Sequence, residues 1–117
     1  MTEIQVPDAG MWSFEAPGIA PGFDAHVRRQ LPWYDDVHAM VREIATAYLP
    51  PRGRLFDLGA STGTFASGMR DILEARNAHL SCVEPAATMW PLLAGALMPL
   101  SCHVEIIDKP AEDVSFP

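Results

Sequence analysis

The chain has few basic residues and few cysteines. Its 117 residues include 8 Lys and Arg against 15 Asp and Glu, and the formal net charge is −7. Autonomous nucleic-acid binding normally requires a basic surface, so we do not expect this class of function. The two cysteines, Cys82 and Cys102, form neither a C-x-x-C motif nor a disulfide framework. A reducing, cytoplasmic location is therefore expected.

The N-terminal residues lack the basic start and the apolar core of a signal peptide. They are rich in proline and glycine instead, at Pro7, Gly10, Pro17, Gly18, Pro21 and Gly22. This composition predicts an irregular arm over residues 1–24, followed by a single domain over residues 25–117.

A second region lacks charged residues altogether. Residues 85–104 contain no Asp, Glu, Lys or Arg, and this run reaches the length of a membrane span. Pro91, Gly95 and Pro99 interrupt it and it connects two predicted strands, so we expect a crossover helix and no membrane partner. Because this helix would have no polar face, we also expect a homo-oligomer that forms through it, or a subunit that completes the fold.

Hydrophobic periodicity predicts the order of the secondary structure. Apolar residues recur at helical spacing over residues 35–49, where Asp35 or Asp36 is expected to cap the helix. Strand patterns then alternate with helical patterns: strands over residues 54–58, 79–84 and 104–107, helices over residues 65–76 and 88–98. This alternation predicts an α/β fold, a Rossmann-like βαβαβ parallel sheet with an N-terminal helical extension.

Two glycines four residues apart, Gly59 and Gly63, follow the first predicted strand in the sequence RLFDLGASTGTF. Glycines in such a turn allow the backbone to approach a ligand closely. A phosphate-binding P-loop is excluded, because Thr64 and Phe65 occupy the positions where that motif needs Lys and Ser or Thr. A short-chain-dehydrogenase-like nucleotide site is a distant alternative, since Phe65 replaces its third glycine and would block a pyrophosphate.

Two carboxylates accompany the glycine loop. Asp57 precedes Gly59, and Glu84 ends the next predicted strand, 25 residues after Gly59. An acid beside the loop can complement an ammonium group, and a carboxylate at the end of the second strand can accept hydrogen bonds from both hydroxyls of a ribose. Asp57 also has a simpler interpretation, as a cap of the next helix or a brace of the loop.

The sequence DLGASTG resembles the D-L-G-x-x-x-G signature of the class I S-adenosylmethionine-dependent methyltransferases. Within that superfamily the likeness is to the carboxy-S-adenosylmethionine synthases, through Phe23-Asp24, the sequence LPWYDDVHAMV and the loop GASTG. The resemblance implies that S-adenosylmethionine is the cofactor. The cofactor-binding residues that it implies are Tyr34, Asp57, Gly59, Ala60, Ser61, Gly63, Glu84 and Pro85.

The resembling fold has seven strands, so the resemblance implies that residues 25–117 form the N-terminal half of a cofactor-binding domain, truncated before its fourth strand. Residues on the substrate side would lie beyond this half, and the methyl acceptor and the catalytic residues stay unknown. We expect S-adenosylmethionine-dependent methyl transfer. The alternatives are a non-catalytic cofactor-binding or assembly module, and an enzyme similar to the carboxy-S-adenosylmethionine synthases.

Several other side chains are expected to be structural. The histidines show no metal-site spacing and are expected at the surface or at sheet edges: His26, His38, His79 and His103. Cys82 and Cys102 are expected to be buried, inert thiols. For Trp33 and Tyr34, a role in packing is an equally good interpretation.

Overall fold

The computed structural model describes residues 13–16 and 18–117. Two helices, α1 (Ile19–Gln30) and α2 (Tyr34–Tyr48), precede the first strand. Strands and helices then alternate as β1 (Arg54–Leu58), α3 (Thr64–Gly68), α4 (Arg70–Ala75), β2 (His79–Val83), α5 (Trp90–Leu97) and β3 (His103–Ile107). One-turn 3₁₀ helices stand at Ala87–Met89 and Ala111–Asp113. The predicted α/β architecture with an N-terminal helical extension is confirmed.

The three strands form one parallel sheet in the order β1-β2-β3. Leu55 pairs with Leu80 and Leu80 pairs with Val104, so the strands are in register from end to end. In a parallel sheet all carboxyl ends lie at one edge. The glycine loop after β1 and Glu84 after β2 therefore meet at the same edge, which is where open α/β sheets bind ligands.

The hydrophobic core lies between the sheet and the helices that connect its strands. Its fully buried side chains are Ala66, Met69, Leu73, Ala78, Leu80, Cys82 and Leu93. The central strand β2 is almost entirely buried, because strands pair with it on both sides. Cys82 is buried as expected, whereas Cys102 is only partly buried.

The N-terminal arm was predicted to be irregular as far as residue 24, and this is wrong for residues 19–24, which form the start of α1. Gly18 precedes the helix with a φ of 85°, a conformation that glycine adopts readily. Pro21 stands in the first turn, where a helix does not need the backbone N–H that proline lacks. Residues 1–12 and residue 17 of the predicted arm lie outside the described residues.

Several predicted element ends also needed correction. The helix predicted over residues 65–76 is divided into α3 and α4 at Met69, and the one predicted over residues 88–98 begins as the 3₁₀ turn Ala87–Met89. The residue before α2 is Trp33, and no side chain caps that helix. Asp35 and Asp36 lie in its first turn, where negative charge is favourable to the helix dipole.

The exposed apolar surface lies mostly on α2 and not on α5. Leu93 and Leu97 of α5 are buried, because they face the sheet. Of the long apolar side chains in this part of the chain, Leu92 and Met98 are exposed. The larger exposed apolar set follows one helix: Val37, Met40, Val41, Ile44 and Tyr48. Among the described residues, no helix is both long and apolar enough to cross a membrane.

Candidate functional site

A cleft lies between the start of α2 and the carboxyl end of β1. It consists of two adjoining cavities, one of about 60 Å³ and one of about 450 Å³. The residues that line both are Tyr34, His38, Asp57, Gly59, Ser61 and Phe65. The larger volume lies within the range of about 300–1,000 Å³ that is usual for small-molecule sites.

The glycine loop is held against the end of β2. The backbone N–H groups of Gly59 and Ala60 donate hydrogen bonds to the carbonyl oxygen of Val83 over 2.8 and 3.1 Å. Gly59 has a φ of 72° and open space where a side chain would stand, so a ligand can approach its backbone. Gly63 is required for another reason, because a Cβ there would lie 2.8 Å from the Cβ of Ala96 on α5.

Glu84 joins the glycine loop to the segment that follows β2. Its Oε1 accepts a hydrogen bond from the backbone N–H of Ser61 over 2.7 Å, and its Oε2 accepts one from Ala86 over 2.9 Å. The residue is only 6% exposed, and α1 packs on the adjoining segment through Ile19 and Ala86. Glu84, which was predicted to accept hydrogen bonds from a ribose, is therefore buried and already bonded to the backbone of the protein itself.

Asp57 has a buried oxygen with no partner. Among the described residues, nothing forms a hydrogen bond with its Oδ2. Burial raises the pKa of this carboxyl, the negative charge of Glu84 raises it further, and His38 acts in the opposite direction. The residue before α3 is Gly63, so Asp57 does not cap that helix. An unpartnered carboxylate oxygen beside a cleft suits a cationic ligand group such as an ammonium.

Aromatic side chains also line the cleft. The rings of Tyr34 and His38, one turn apart on α2, have centroids 4.2 Å apart, and the His38 ring meets the edge of Phe65 at 5.9 Å. Burial raises the pKa of Tyr34, as does the charge of Asp24. His38 was predicted to be a surface histidine, and its place in the cleft corrects this. The signal that would have found it is its spacing of four residues from Tyr34.

Helix α1 closes another side of the loop through Asp24. Its Oδ1 accepts hydrogen bonds from the hydroxyl groups of Thr62 and Thr64, over 2.6 and 3.1 Å. Asp24 belongs to the Phe-Asp pair quoted for the resemblance, but sequence reasoning gave it no role. Asp24 is 38 residues from Thr62 and 40 residues from Thr64 in the chain. No local sequence pattern indicates a contact over such a separation.

The structure does not bring all the predicted site residues into the cleft. Tyr34, Asp57, Gly59 and Ser61 line both cavities, and Ala60 lines the smaller one. The lining of these cavities does not include Gly63, Glu84 or Pro85; Gly63 and Glu84 are buried and Pro85 is exposed.

The remaining candidates have structural surroundings. His79 and His103 lie on neighbouring strands with ring centroids 4.7 Å apart. Burial raises the pKa of the Cys82 thiol to about 12, which keeps it unreactive at neutral pH. Within residues 13–16 and 18–117, no group of three or more His, Cys, Asp and Glu residues is placed to hold a metal ion.

Several known proteins are similar in sequence to this chain. A protein of Staphylococcus epidermidis named carboxy-S-adenosyl-L-methionine synthase is 28% identical over 105 residues, which is 90% of this chain and 45% of the relative. A protein of the same name from Shewanella denitrificans is 28% identical over 71 residues, which is 61% of this chain and 29% of the relative. One from Yersinia pestis is 26% identical over 80 residues, which is 68% of this chain and 30% of the relative. This chain is similar to carboxy-S-adenosyl-L-methionine synthases. No protein-family profile matches it.

These relatives confirm the resemblance inferred from the sequence motifs. Their name contains the predicted cofactor, S-adenosylmethionine, in carboxylated form. The chain spans less than half the length of these relatives, in agreement with the expectation that it corresponds to half of such an enzyme. The similarity supports a methyltransferase-like, S-adenosylmethionine-dependent enzyme family, without specifying a reaction or a substrate.

Replacement of Glu84 by alanine is expected to destabilise the fold. Glu84→Ala leaves the backbone N–H groups of Ser61 and Ala86 without their acceptor. Hydrogen bonds to a charged group contribute about 1.5–3 kcal/mol each, so urea denaturation should show a free energy of unfolding lower by at least that amount. Glu112→Ala, at an exposed position, is the control and should be neutral. Equal stability of the two variants would contradict the bridging role.

Replacement of Asp57 by asparagine is expected to stabilise the protein without ligand in a pH-dependent way. The folded carboxyl has a pKa raised above its ordinary 3.8, so wild-type stability falls as the pH rises from 3.8 through the raised pKa. Asp57→Asn removes this loss. Urea denaturation should show the variant more stable at pH 7 and equal to wild type near pH 3. The exposed Asp108→Asn is the control, and a pH-independent difference for Asp57→Asn would refute this assignment.

Proposed function

We propose that this chain is the cofactor-binding part of an S-adenosylmethionine-dependent enzyme with a class I methyltransferase-like fold. The observation that carries the proposal is the unpartnered Oδ2 of Asp57, which lies beside the glycine loop at the carboxyl edge of the sheet. A cationic group would supply the hydrogen-bond donor and the opposite charge that this oxygen lacks. S-adenosylmethionine carries two such groups, an ammonium and a sulfonium. The names of the relatives add independent support.

The described residues fit the parts of this cofactor. Asp57 suits the ammonium group, and the open space at Gly59 admits close approach to the backbone. Tyr34 and Phe65 offer aromatic rings to the cleft, which attract a sulfonium as they attract other cations. Glu84 uses one hydrogen bond on each carboxylate oxygen and keeps capacity for ribose hydroxyls. Its burial means that the surrounding segments would have to shift for a ribose to reach it.

The cofactor supplies a methyl group bonded to a positively charged sulfur, ready for in-line attack by a nucleophile. The chain's own contribution is to hold this group in a fixed position, which is the main source of rate acceleration in such transfers. No methyl acceptor is assigned. The names of the relatives favour a second candidate, an enzyme similar to the carboxy-S-adenosyl-L-methionine synthases, and a non-catalytic cofactor-binding or assembly module is the third. Methyl transfer by the purified chain would exclude the non-catalytic module.

Ligand choice tests the proposal directly. Isothermal titration calorimetry on the purified chain should show binding of S-adenosylhomocysteine and no binding of NAD. The reason is that the cleft offers a carboxylate for an ammonium, whereas Phe65 lines it where a dinucleotide loop has its third glycine. Asp57→Asn should weaken the binding, and the exposed Asp108→Asn should not. Binding of NAD in place of S-adenosylhomocysteine would overturn the proposal.

We further propose that a second copy of this chain covers the exposed apolar face of α2. That face adjoins the outer edge of β1, which pairs only with β2 among the described residues. Val41, Ala45 and Leu55 contribute apolar wall to the cavity between α2 and β1. A twofold arrangement would bury this surface of both copies and pair the free strand edges with each other.

Multi-angle light scattering should show a dimer that depends on α2. Ile44→Glu places a charge on the exposed apolar face and should give monomers. Met98→Glu, at another exposed apolar residue, is the control and should stay dimeric. Leu93 is buried in the core, so Leu93→Lys is expected to unfold the protein, not to dissociate it. A wild-type monomer at high concentration would contradict self-association.

A further inference from the structure

The cleft contains one basic side chain. Of the described residues that line its two cavities, His38 alone can carry a positive charge. Three carboxylates surround the glycine loop, those of Asp24, Asp57 and Glu84. The cleft is therefore well suited to cations, whereas a carboxylate group entering it needs a partner other than these acids.

The amino-acid end of S-adenosylmethionine is a zwitterion, with a carboxylate next to the ammonium that Asp57 suits. The first three backbone N–H groups of the loop are already used. Gly59 and Ala60 donate to the carbonyl of Val83, and Ser61 donates to Glu84. They have no hydrogen-bonding capacity left for a ligand carboxylate.

Several other polar groups near the cleft are also engaged, although Tyr34 keeps an uncharged hydroxyl without a hydrogen bond among the described residues. The hydroxyls of Thr62 and Thr64 donate to Asp24. Arg28 reaches the ring of Tyr34, but its Nε donates to both carboxylate oxygens of Asp35 over 3.0 and 3.2 Å. His38 differs from the engaged groups, because no described residue forms a hydrogen bond with its imidazole.

The position of His38 is fixed by aromatic contacts. Its ring lies between those of Tyr34 and Phe65, with centroids at 4.2 and 5.9 Å, and both neighbours are lining residues of the cleft. These ring contacts hold the imidazole of His38 in place at the cleft.

We propose that His38 is a specificity residue that binds the carboxylate of the cofactor's amino-acid end while Asp57 binds its ammonium. This inference rests on the proposed function and adds to it the recognition of the complete zwitterion. The cleft then prefers ligands with an amino-acid end to ligands that lack the carboxylate. His38 contacts the ligand and takes part in no proton transfer.

The test compares two ligands that differ only in that carboxylate. S-adenosylmethionine and decarboxylated S-adenosylmethionine are titrated calorimetrically into the wild-type chain, His38→Phe and His38→Gln. Phenylalanine keeps the aromatic packing against Tyr34 and Phe65, and glutamine keeps a donor without charge. The control is His79→Phe, at an exposed histidine at the opposite edge of the sheet.

For His38→Phe we expect about tenfold weaker binding of S-adenosylmethionine, equivalent to about 1.4 kcal/mol, and unchanged binding of the decarboxylated form. His38→Gln should lie between wild type and His38→Phe, and His79→Phe should match wild type. Equal weakening of both ligands, or of neither, in a variant with wild-type circular dichroism would overturn the role of His38 and leave the proposed function intact. Failure of wild type to bind either ligand would overturn both.

Discussion

The carboxylate of Glu84 connects the parts of the candidate site. One of its oxygens accepts the N–H of Ser61 in the glycine loop, and the other accepts the N–H of Ala86 beyond β2. Because the group is buried, these bonds are stronger than they would be in water and their loss is more costly. They fix the loop relative to β2, and the loop leads directly into α3, where Phe65 lines the cleft.

The acidic groups around the loop differ in how they are satisfied. Asp24 accepts hydrogen bonds from two threonine hydroxyls, and Glu84 accepts them from two backbone N–H groups. Asp57 keeps one buried oxygen without a partner. A folded protein tolerates such an unpaired group where a ligand supplies the missing contact. The unpaired buried carboxylate therefore lowers the stability of the protein without ligand and, for the same reason, attracts a cation.

Much of the fold could be predicted from the sequence, because local patterns determine it. Strand β1 has the predicted bounds, and the ends of β2 and β3 differ from prediction by one residue each. The alternation of strands and helices was sufficient for a parallel sheet. The prediction was poorer where proline and glycine occur inside a helix, as at Pro21 in α1. These residues usually indicate a turn, but the first turn of a helix accepts proline.

The sequence alone determined the glycine loop, the placement of Asp57 before it, and the likeness to a family of S-adenosylmethionine-related enzymes. Only the tertiary structure decided what each side chain contacts. Ser61 and Glu84 are 23 residues apart, and Asp24 and Thr62 are 38 apart. The burial of Glu84 and the place of His38 in the cleft depend on such distant segments meeting. Helical and strand periodicity records which face of an element is apolar, but not which distant residue will pack against it.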